Sequence, residues 1–224
     1  MLRLTGSLAA QHFRFRCDRR LRWEMVPPAE RAGVIPLAEA RPGAGLLTRA
    51  GRLFEQRRLA QLERRFPGAV LAAGRNPHGE AVKLPYARVV EALRDPGGVR
   101  WIVQPELVLP DPAAFAARHG LDPAITIQPA QPDLIRIRRG EDGRPRFGVV
   151  DIKWSRNGTL QHFAQVAFYS LVLEEICRAE GIDGVAETRR GWIWTRGAGK
   201  PRPFALAAYR HHVREFLRED LARV

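Results

Sequence analysis

The chain has 224 residues and is strongly basic, because 37 Lys and Arg stand against 24 Asp and Glu for a formal net charge of +13. With 45% hydrophobic residues it can bury the core of one large domain. No apolar run reaches the length of a membrane span, and the excess of cations favours an anionic partner such as nucleic acid. We recognise no secretion signal, and the two cysteines lie far apart, so we expect a cytoplasmic protein without disulfides.

The N-terminal part of the chain predicts two helices joined by a Pro-rich link. A basic amphipathic helix is expected over residues 8–25, where arginines alternate with apolar side chains. These arginines either follow a DNA backbone or form a solvated helix face. The link "VPPAERAGVIPLAEARPGAG" comes next, and apolar residues at a period near 3.6 predict a helix over 45–66. We therefore expect an N-terminal helix and linker at 1–44 and a main domain at 45–224.

The rest of the chain predicts strands alternating with helices. "RWIVQPELVLP" indicates a strand and "DPAAFAARHG" a short helix. "DLIRIR", the turn cluster "RGEDGRP" and "RFGVVDIKW" together predict an antiparallel hairpin. A helix over 160–180, a strand at "RRGWIWTRG" and a final helix over 204–221 complete the pattern. By alternation along the hairpin, Trp154 is expected in the core.

Three charged residues are placed by this hairpin at one end of the sheet. Asp151 and Lys153 share a strand face, and Asp133 opens the neighbouring strand. Converging carboxylates beside an amine suit Mg²⁺ or Mn²⁺, which lowers the pKa of a bound water and offsets the charge on a phosphate. Lys153 then positions the attacking water and stabilises the developing charge. The alternative is a simple ion pair between Asp151 and Lys153 at the strand end.

The segments "PDLIRI", "GVVDIKWS" and "QHFAQVAFY" resemble the PD-(D/E)xK nuclease superfamily, and within it the RecB-like exonuclease branch. Pro132 and Asp133 match the PD motif, 151–153 match (D/E)xK, and Gln165 and Tyr169 match the QxxxY helix. The resemblance is strongest over residues 130–175. It implies a restriction-endonuclease-like α/β fold, with a central mixed β-sheet flanked by helices, and a deoxyribonuclease that depends on Mg²⁺ or Mn²⁺.

The resemblance also assigns roles outside the hairpin. Many relatives carry a histidine ligand on an early helix, and "AGRLFEQRRL" offers Glu55 there as a third metal ligand and catalytic acid. The alternative for Glu55 is a surface glutamate paired with Arg58. Gln165, Tyr169 and His162 are expected to bind substrate. The alternatives are that the amide and phenol cap the core and that His162 is a surface residue at the start of its helix.

The expected function is hydrolysis of phosphodiester bonds in single-stranded or end-bearing DNA, in DNA repair or antiviral defence. The CRISPR-associated RecB-like nucleases also fit the resemblance. In some of them four cysteines hold an iron–sulfur cluster, but only the first of these has a counterpart in this sequence, which is Cys17. We therefore expect no cluster. Two alternatives stay open: a catalytically weak DNA-binding or assembly module, and the nuclease part of a larger machine. A helicase or other motor would then be a partner, because the chain has no GxxxxGK[ST] motif.

Overall fold

The computed structural model describes residues 2–31 and 44–223, in which strands and helices alternate. The strands are β1 (Leu2–Leu4), β2 (Val70–Leu71), β3 (Trp101–Val103), β4 (Ile125–Ile127), β5 (Leu134–Arg139), β6 (Pro145–Lys153), β7 (Val185–Ala186), β8 (Arg190–Thr195) and β9 (Arg202–Ala205). The helices are α1 (Gly6–Phe15), α2 (Asp18–Met25), α3 (Pro28–Arg31), α4 (Ala44–Arg65), α5 (Tyr86–Arg94), α6 (Pro112–His119), α7 (Leu160–Ala179) and α8 (Leu206–Glu215). A π-helical turn (Phe216–Asp220) and a 3₁₀ turn (Leu221–Arg223) follow α8. Within these ranges, none of the helices combines the length and the apolar character needed to cross a membrane.

A mixed sheet forms the centre of the fold. Its strand order is β2-β3-β5-β6-β8-β9, and β7 pairs alongside with β6. The predicted hairpin is present as β5 and β6, which run antiparallel with Leu134 opposite Val150. On its other side β6 runs parallel to β8, with Asp151 beside Ile193. The expected α/β architecture, a central mixed sheet flanked by helices, is therefore confirmed.

The two faces of the sheet carry separate hydrophobic cores, because side chains alternate along each strand. One face packs against α7, and its buried strand residues are Ile135, Ile137, Phe147, Val149 and Ile193. The other face packs against α4, whose Phe54, Leu59 and Leu62 meet the strand residues Leu134, Val150, Ile152, Trp192 and Trp194. Asp151 and Lys153 therefore belong to the α7 face.

The N-terminal segment packs on α7 rather than extending from the fold. The helix expected over residues 8–25 is broken in two, because Arg16 takes the left-handed conformation (φ 46°) and its N–H bonds the carbonyl of His12 at 2.7 Å, which ends α1. Leu21 and Met25 of α2 are buried in the core of the α7 face. Gly6 lies so close to α7 that an added Cβ would stand 2.3 Å from the Tyr169 ring.

The division into residues 1–44 and 45–224 stays a prediction, although described residues on both sides of it share one core. Most of the predicted Pro-rich link falls at 32–43, outside the described residues. The final helix was expected over 204–221, but residues 204 and 205 belong to β9 and the regular α-helix ends at Glu215.

We predict that Gly148→Ala destabilises the protein by about 1–3 kcal/mol, because an added Cβ would stand 2.3 Å from the indole ring of buried Trp192. Gly51→Ala is the control, since it lies inside α4 with nothing within 4 Å of the new Cβ. That change should stabilise the protein by about 0.5–1 kcal/mol. Urea denaturation measures both, and a Gly148→Ala variant as stable as the wild type would contradict the packing described for Trp192.

Candidate active site

The hairpin brings Asp133 and Asp151 to neighbouring positions at one end of the sheet. Asp133 directly precedes β5, and Asp151 lies near the end of β6, one residue beyond the Leu134–Val150 pair. The Oδ2 atom of Asp133 accepts a hydrogen bond from the N–H of Ile152 at 2.5 Å. The two predicted carboxylates are thus held together by the backbone of the hairpin itself.

Asp151 and Lys153 form a largely buried ion pair on the α7 face. The Nζ atom of Lys153 lies 2.9 Å from Oδ1 and 2.8 Å from Oδ2 of Asp151, whose exposure is only 2%. Oδ2 has no hydrogen bond of acceptable alignment, despite its closeness to the ammonium. Burial raises the pKa of Asp151 well above its usual range, and Asp133 adds to that rise while Lys153 opposes it. For Lys153, burial works to lower the pKa, but Asp151 and Asp133 outweigh it, so the ammonium stays charged.

Glu55 reaches this group of acids from α4, through a residue that the sequence did not indicate. The amide Nε2 of Gln104 donates to Oε1 of Glu55 at 2.6 Å and approaches Oδ1 of Asp133 at 3.3 Å. Burial, with Asp133 as the next cause, raises the pKa of Glu55 to about 7. Arg58, the alternative partner, instead donates to Gln61 at 2.8 Å. Glu55 is therefore a half-buried member of the site and not a surface ion pair.

Gln104 follows β3 directly and has an unusual backbone conformation. Its φ of 46° is in the left-handed region, which residues other than glycine seldom adopt and which is common at functional sites. Its N–H bonds the carbonyl of Asp133 at 2.9 Å, so the backbone and the side chain both contact Asp133. The only sequence signal was a polar residue between an apolar strand and Pro105, which is too common to single out.

The donor set fits a hard divalent cation, although its geometry is not that of a complete ligand shell. In residues 2–31 and 44–223, no group of three or more His, Cys, Asp or Glu is arranged to hold a metal. Mg²⁺ in phosphate-transfer sites commonly has only one or two carboxylate ligands and keeps several waters. Asp151 offers a buried oxygen without an aligned hydrogen bond. The raised pKa values of Glu55 and Asp151 mean that the site favours an added positive charge, whether proton or metal.

The two residues of the QxxxY motif have different environments. Gln165 donates from Nε2 to the Tyr169 hydroxyl at 3.0 Å and approaches the Ser7 hydroxyl of α1 at 3.5 Å. Tyr169 is buried, and burial followed by the charge of Asp151 raises the pKa of its phenol. Gln165 lines an open groove instead. The expectation of substrate contact therefore suits Gln165, and Tyr169 fits the alternative of a phenol at the edge of the core.

The open groove lies beside Lys153 and has a volume of about 400 Å³. We call it the Lys153 groove. Its walls come from Lys153 and α7 on one side and from α1 and α2 on the other. From α1 and α2 it receives Arg14, Phe15 and Arg20. Phe15 is 42% exposed, and the guanidinium carbons of Arg14 and Arg20 lie 4.9 and 4.0 Å from its ring centroid. The Lys153 groove is thus positively charged, and the Phe15 ring in its wall is partly exposed to solvent.

His162 lines the Lys153 groove and also caps α7. Its Nδ1 atom accepts the N–H of Thr159 at 3.2 Å, which closes the first turn of the helix. Burial, followed by the charges of Lys153 and Arg14, lowers the pKa of His162 to about 4. The imidazole is therefore neutral near pH 7, so it can donate a hydrogen bond to a substrate but supplies no positive charge.

Trp154 corrects one expectation. It was expected in the core, but it is 38% exposed, with its ring 5.3 Å from that of Phe54 and the guanidinium of Arg196 at 4.8 Å. Trp154 lies on the α4 side with Phe54, as alternation predicts, but β6 ends at Lys153, so this residue lies beyond the sheet and stays partly exposed.

Comparison with known proteins adds no family assignment: no protein-family model matches this chain, and no curated protein matches it significantly. Membership of the RecB-like branch therefore stays a prediction. It rests on the order of three short motifs. The protein's own geometry adds the pair of Asp151 and Lys153 and the hydrogen bond from the Ile152 N–H to Asp133.

We predict that the stability gained by Glu55→Gln grows as the pH rises from about 5 to 8 in the absence of metal. A carboxyl with a pKa of about 7 in the folded protein, against 4.5 as its ordinary value, binds its proton more tightly when folded. The contribution of Glu55 to the free energy of unfolding is then most favourable below about pH 4.5 and falls as the pH rises through the folded pKa of about 7, whereas the amide introduced by Glu55→Gln has no such dependence. Allowing for partial solvent screening, we expect the free energy of unfolding of Glu55→Gln to exceed that of the wild type by about 1–2 kcal/mol at pH 8.

Urea denaturation at several pH values measures this difference. The control is Glu91→Gln, which removes an exposed carboxylate from α5. If the Glu55→Gln and wild-type curves stayed parallel from pH 5 to 8, the assignment of a strained, half-buried carboxylate to Glu55 would be wrong.

Proposed function

We propose that this protein is a DNA nuclease that depends on Mg²⁺ or Mn²⁺ and hydrolyses phosphodiester bonds. The observation that carries the proposal is the contact between the buried Asp151 carboxylate and the Lys153 ammonium, with Asp133 bonded to the backbone between them. A charged pair of this kind is costly in a protein interior, and an open, positively charged groove lies directly beside it.

The acids of the site are suited to hold the ion. Asp133 and Asp151 would be the first ligands, and Glu55 a third. When bound, the ion lowers the pKa of a coordinated water and offsets negative charge on the phosphate. Gln104 positions two of these acids, because its single amide group contacts both Glu55 and Asp133.

Lys153 stabilises the charge that grows on the phosphate during hydrolysis. The neighbouring acids keep its ammonium protonated, and Asp151 holds it at the wall of the groove. An ammonium placed there in advance needs no reorganisation when the charge develops, so it contributes more to the transition state than to substrate binding.

The Lys153 groove favours a single strand or a DNA end as substrate. Arg14 and Arg20 are placed to contact phosphates, and with the exposed Phe15 ring, over which both guanidiniums lie, they form a stacked surface that a base can contact. Arg20 also pairs with Glu24 at 2.7 Å, whereas Arg14 has no carboxylate partner among the described residues. Gln165 and the neutral His162 add hydrogen-bonding groups to the same groove.

DNA repair and antiviral defence are the processes in which we propose that such an activity acts, with or without a motor protein as partner. The alternative is a DNA-binding module with little or no catalysis. That alternative draws support from the lack of a three-ligand metal cluster within the described ranges. Both proposals use the same groove, so only cleavage and metal binding separate them.

We predict that Asp151→Asn lowers the cleavage rate by about 10²-fold or more, the scale expected for an essential group of this kind. It should also abolish the rise in melting temperature that Mn²⁺ gives the wild-type protein, because a ligand bound only to the folded state stabilises it. The measurements are digestion of end-labelled single-stranded, linear and circular DNA with Mg²⁺, Mn²⁺ or EDTA, and melting curves in the same ions.

The matched control for this experiment is Asp183→Asn, an exposed aspartate that pairs with Arg144 at the surface. It should cleave DNA and respond to Mn²⁺ as the wild type does. Wild-type cleavage by Asp151→Asn would remove Asp151 from the metal site. Binding of DNA without metal-dependent cleavage by the wild type would favour the non-catalytic alternative.

We predict that Lys153→Ala lowers the turnover rate by about 10²-fold, because it removes charge stabilisation from the transition state. DNA affinity should change by less than about 3-fold, since Lys153 is one of many cations and phosphate contacts are shared among them. Lys83→Ala, at an exposed lysine before α5, is the control for the loss of one positive charge. Single-turnover rates and fluorescence anisotropy at one salt concentration test this, and a variant that lost affinity but kept its rate would make Lys153 a phosphate anchor only.

A further inference from the structure

A second cavity, with a volume of about 290 Å³, lies on the α4 face of the sheet, beyond the C-terminal end of α4. Its walls include Phe66, Arg100, Trp101, Arg136 and Arg138. Arg136 and Arg138 alternate along β5 with Ile135 and Ile137, which are buried on the α7 face, so both arginines project to the α4 side. We call this cavity the arginine pocket.

The arginines of the pocket are held against aromatic rings. The guanidinium of Arg136 lies 5.8 Å from the ring centroid of Trp101 and 5.6 Å from that of Trp192. Arg100 lies 4.8 Å from the Phe66 ring. A guanidinium over an aromatic face keeps its N–H donors in its own plane, where a ligand can reach them.

Two of these cations lack an acid. Arg138 pairs with Glu187 at 2.7 Å. By contrast, neither Arg100 nor Arg136 has a carboxylate partner among residues 2–31 and 44–223. Burial, followed by repulsion from Arg138 and Arg100, lowers the pKa of Arg136. Like charges gathered around a cavity repel one another, and an anion within it would relieve that cost.

The pocket is separate from the candidate active site. Arg136 follows Asp133 by three residues along an extended chain, a distance of about 10 Å. Arg136 also projects from the α4 face, whereas Asp151 and Lys153 belong to the α7 face. A group bound in the arginine pocket is therefore not the phosphate beside Lys153.

We propose that the arginine pocket binds a nucleotide unit, with its phosphate on Arg100 and Arg136 and its base beside Phe66. The volume is close to the lower end of the range for small-ligand sites, about 300 Å³, and suits one nucleotide. Arginine recognises phosphate with two parallel hydrogen bonds, and aromatic rings and guanidinium planes both stack on bases. The nucleotide is either free in solution or part of a strand, and the proposal requires no hydrolysis.

The test is binding of a fluorescein-labelled single-stranded 12-mer, about the site size of one nucleic-acid-binding module, in EDTA so that no cleavage intervenes. Arg100→Gln and Arg136→Gln should each weaken binding by about 5- to 10-fold and reduce the slope of log affinity against log salt by about 0.7, the contribution of one phosphate contact in a single strand. Arg202→Gln is the matched control, because it removes one exposed arginine from the same sheet at β9, on the side of Ile193. Arg202→Gln should change affinity by less than about 2-fold, since Arg202 lies on the opposite face of the sheet from the arginine pocket and the change removes only a surface charge.

Arg100 is exposed, so Arg100→Gln gives a folded variant even if loss of the half-buried Arg136 lowers the melting temperature. Calorimetric titration with deoxyadenosine monophosphate separates the two sources of the nucleotide. If the monophosphate binds the wild type and Arg136→Gln weakens that binding, free nucleotide is a ligand. If the 12-mer binds but the monophosphate does not, the ligand is a strand.

Two results would overturn the proposal. The first is that Arg100→Gln and Arg136→Gln weaken binding no more than Arg202→Gln does, in which case the arginines only cover the tryptophans with their aliphatic stems. The second is that polyglutamate of equal charge competes with the labelled 12-mer as well as unlabelled 12-mer does, both in the wild type and in the variants. The pocket would then be a general anion site or a site for an acidic polypeptide.

Discussion

The ion pair between Asp151 and Lys153 is the interaction on which the rest of the site depends. Removing charges from water costs several kcal/mol per ion, and one partner alone would be far less stable there than the pair. Asp151 is almost fully buried, so the alignment of β6 in the middle of the sheet fixes where both charges lie. Asp133 bonds the backbone between them, and the groove is built beside the result. A shift of β6 by one residue would place these charges on the opposite face, against the core under α4.

Carboxylates are crowded here in a way that folding alone does not favour. Gln104 holds Glu55 near Asp133 at the cost of a left-handed backbone, and burial makes the ionised form of Glu55 unfavourable. Such local costs persist where the surrounding structure enforces them, and they are concentrated at sites of binding and catalysis. The stability of the fold comes instead from the two hydrophobic cores on either side of the sheet.

The sequence predicted those features whose signals are local. Alternation on both sides of a turn cluster predicted the hairpin, and with it the meeting of Asp133 and Asp151. The sequence could not predict that Gln104 belongs to the site, because its contact with Glu55 joins residues 49 apart in sequence and depends on how α4 lies on the sheet. The break at Arg16 has no glycine or proline to mark it, and Trp154 was misplaced because alternation does not show where a strand ends. The sequence could not predict the arginine pocket, because its residues come from separate strands and loops.

Helix α4 also determines whether binding in the arginine pocket can affect Glu55 in the candidate active site. Glu55 lies in its middle, and Phe66 follows its last residue, still hydrogen-bonded to Leu62, so the two are separated by about 16 Å of helix. Phe54, Leu59 and Leu62 fasten the intervening turns to the sheet. Sliding the helix would require this core to unpack. A nucleotide bound beside Phe66 should therefore not move Glu55. The free-energy effects of changes at the two ends should then be additive, as they are for distant sites without shared partners.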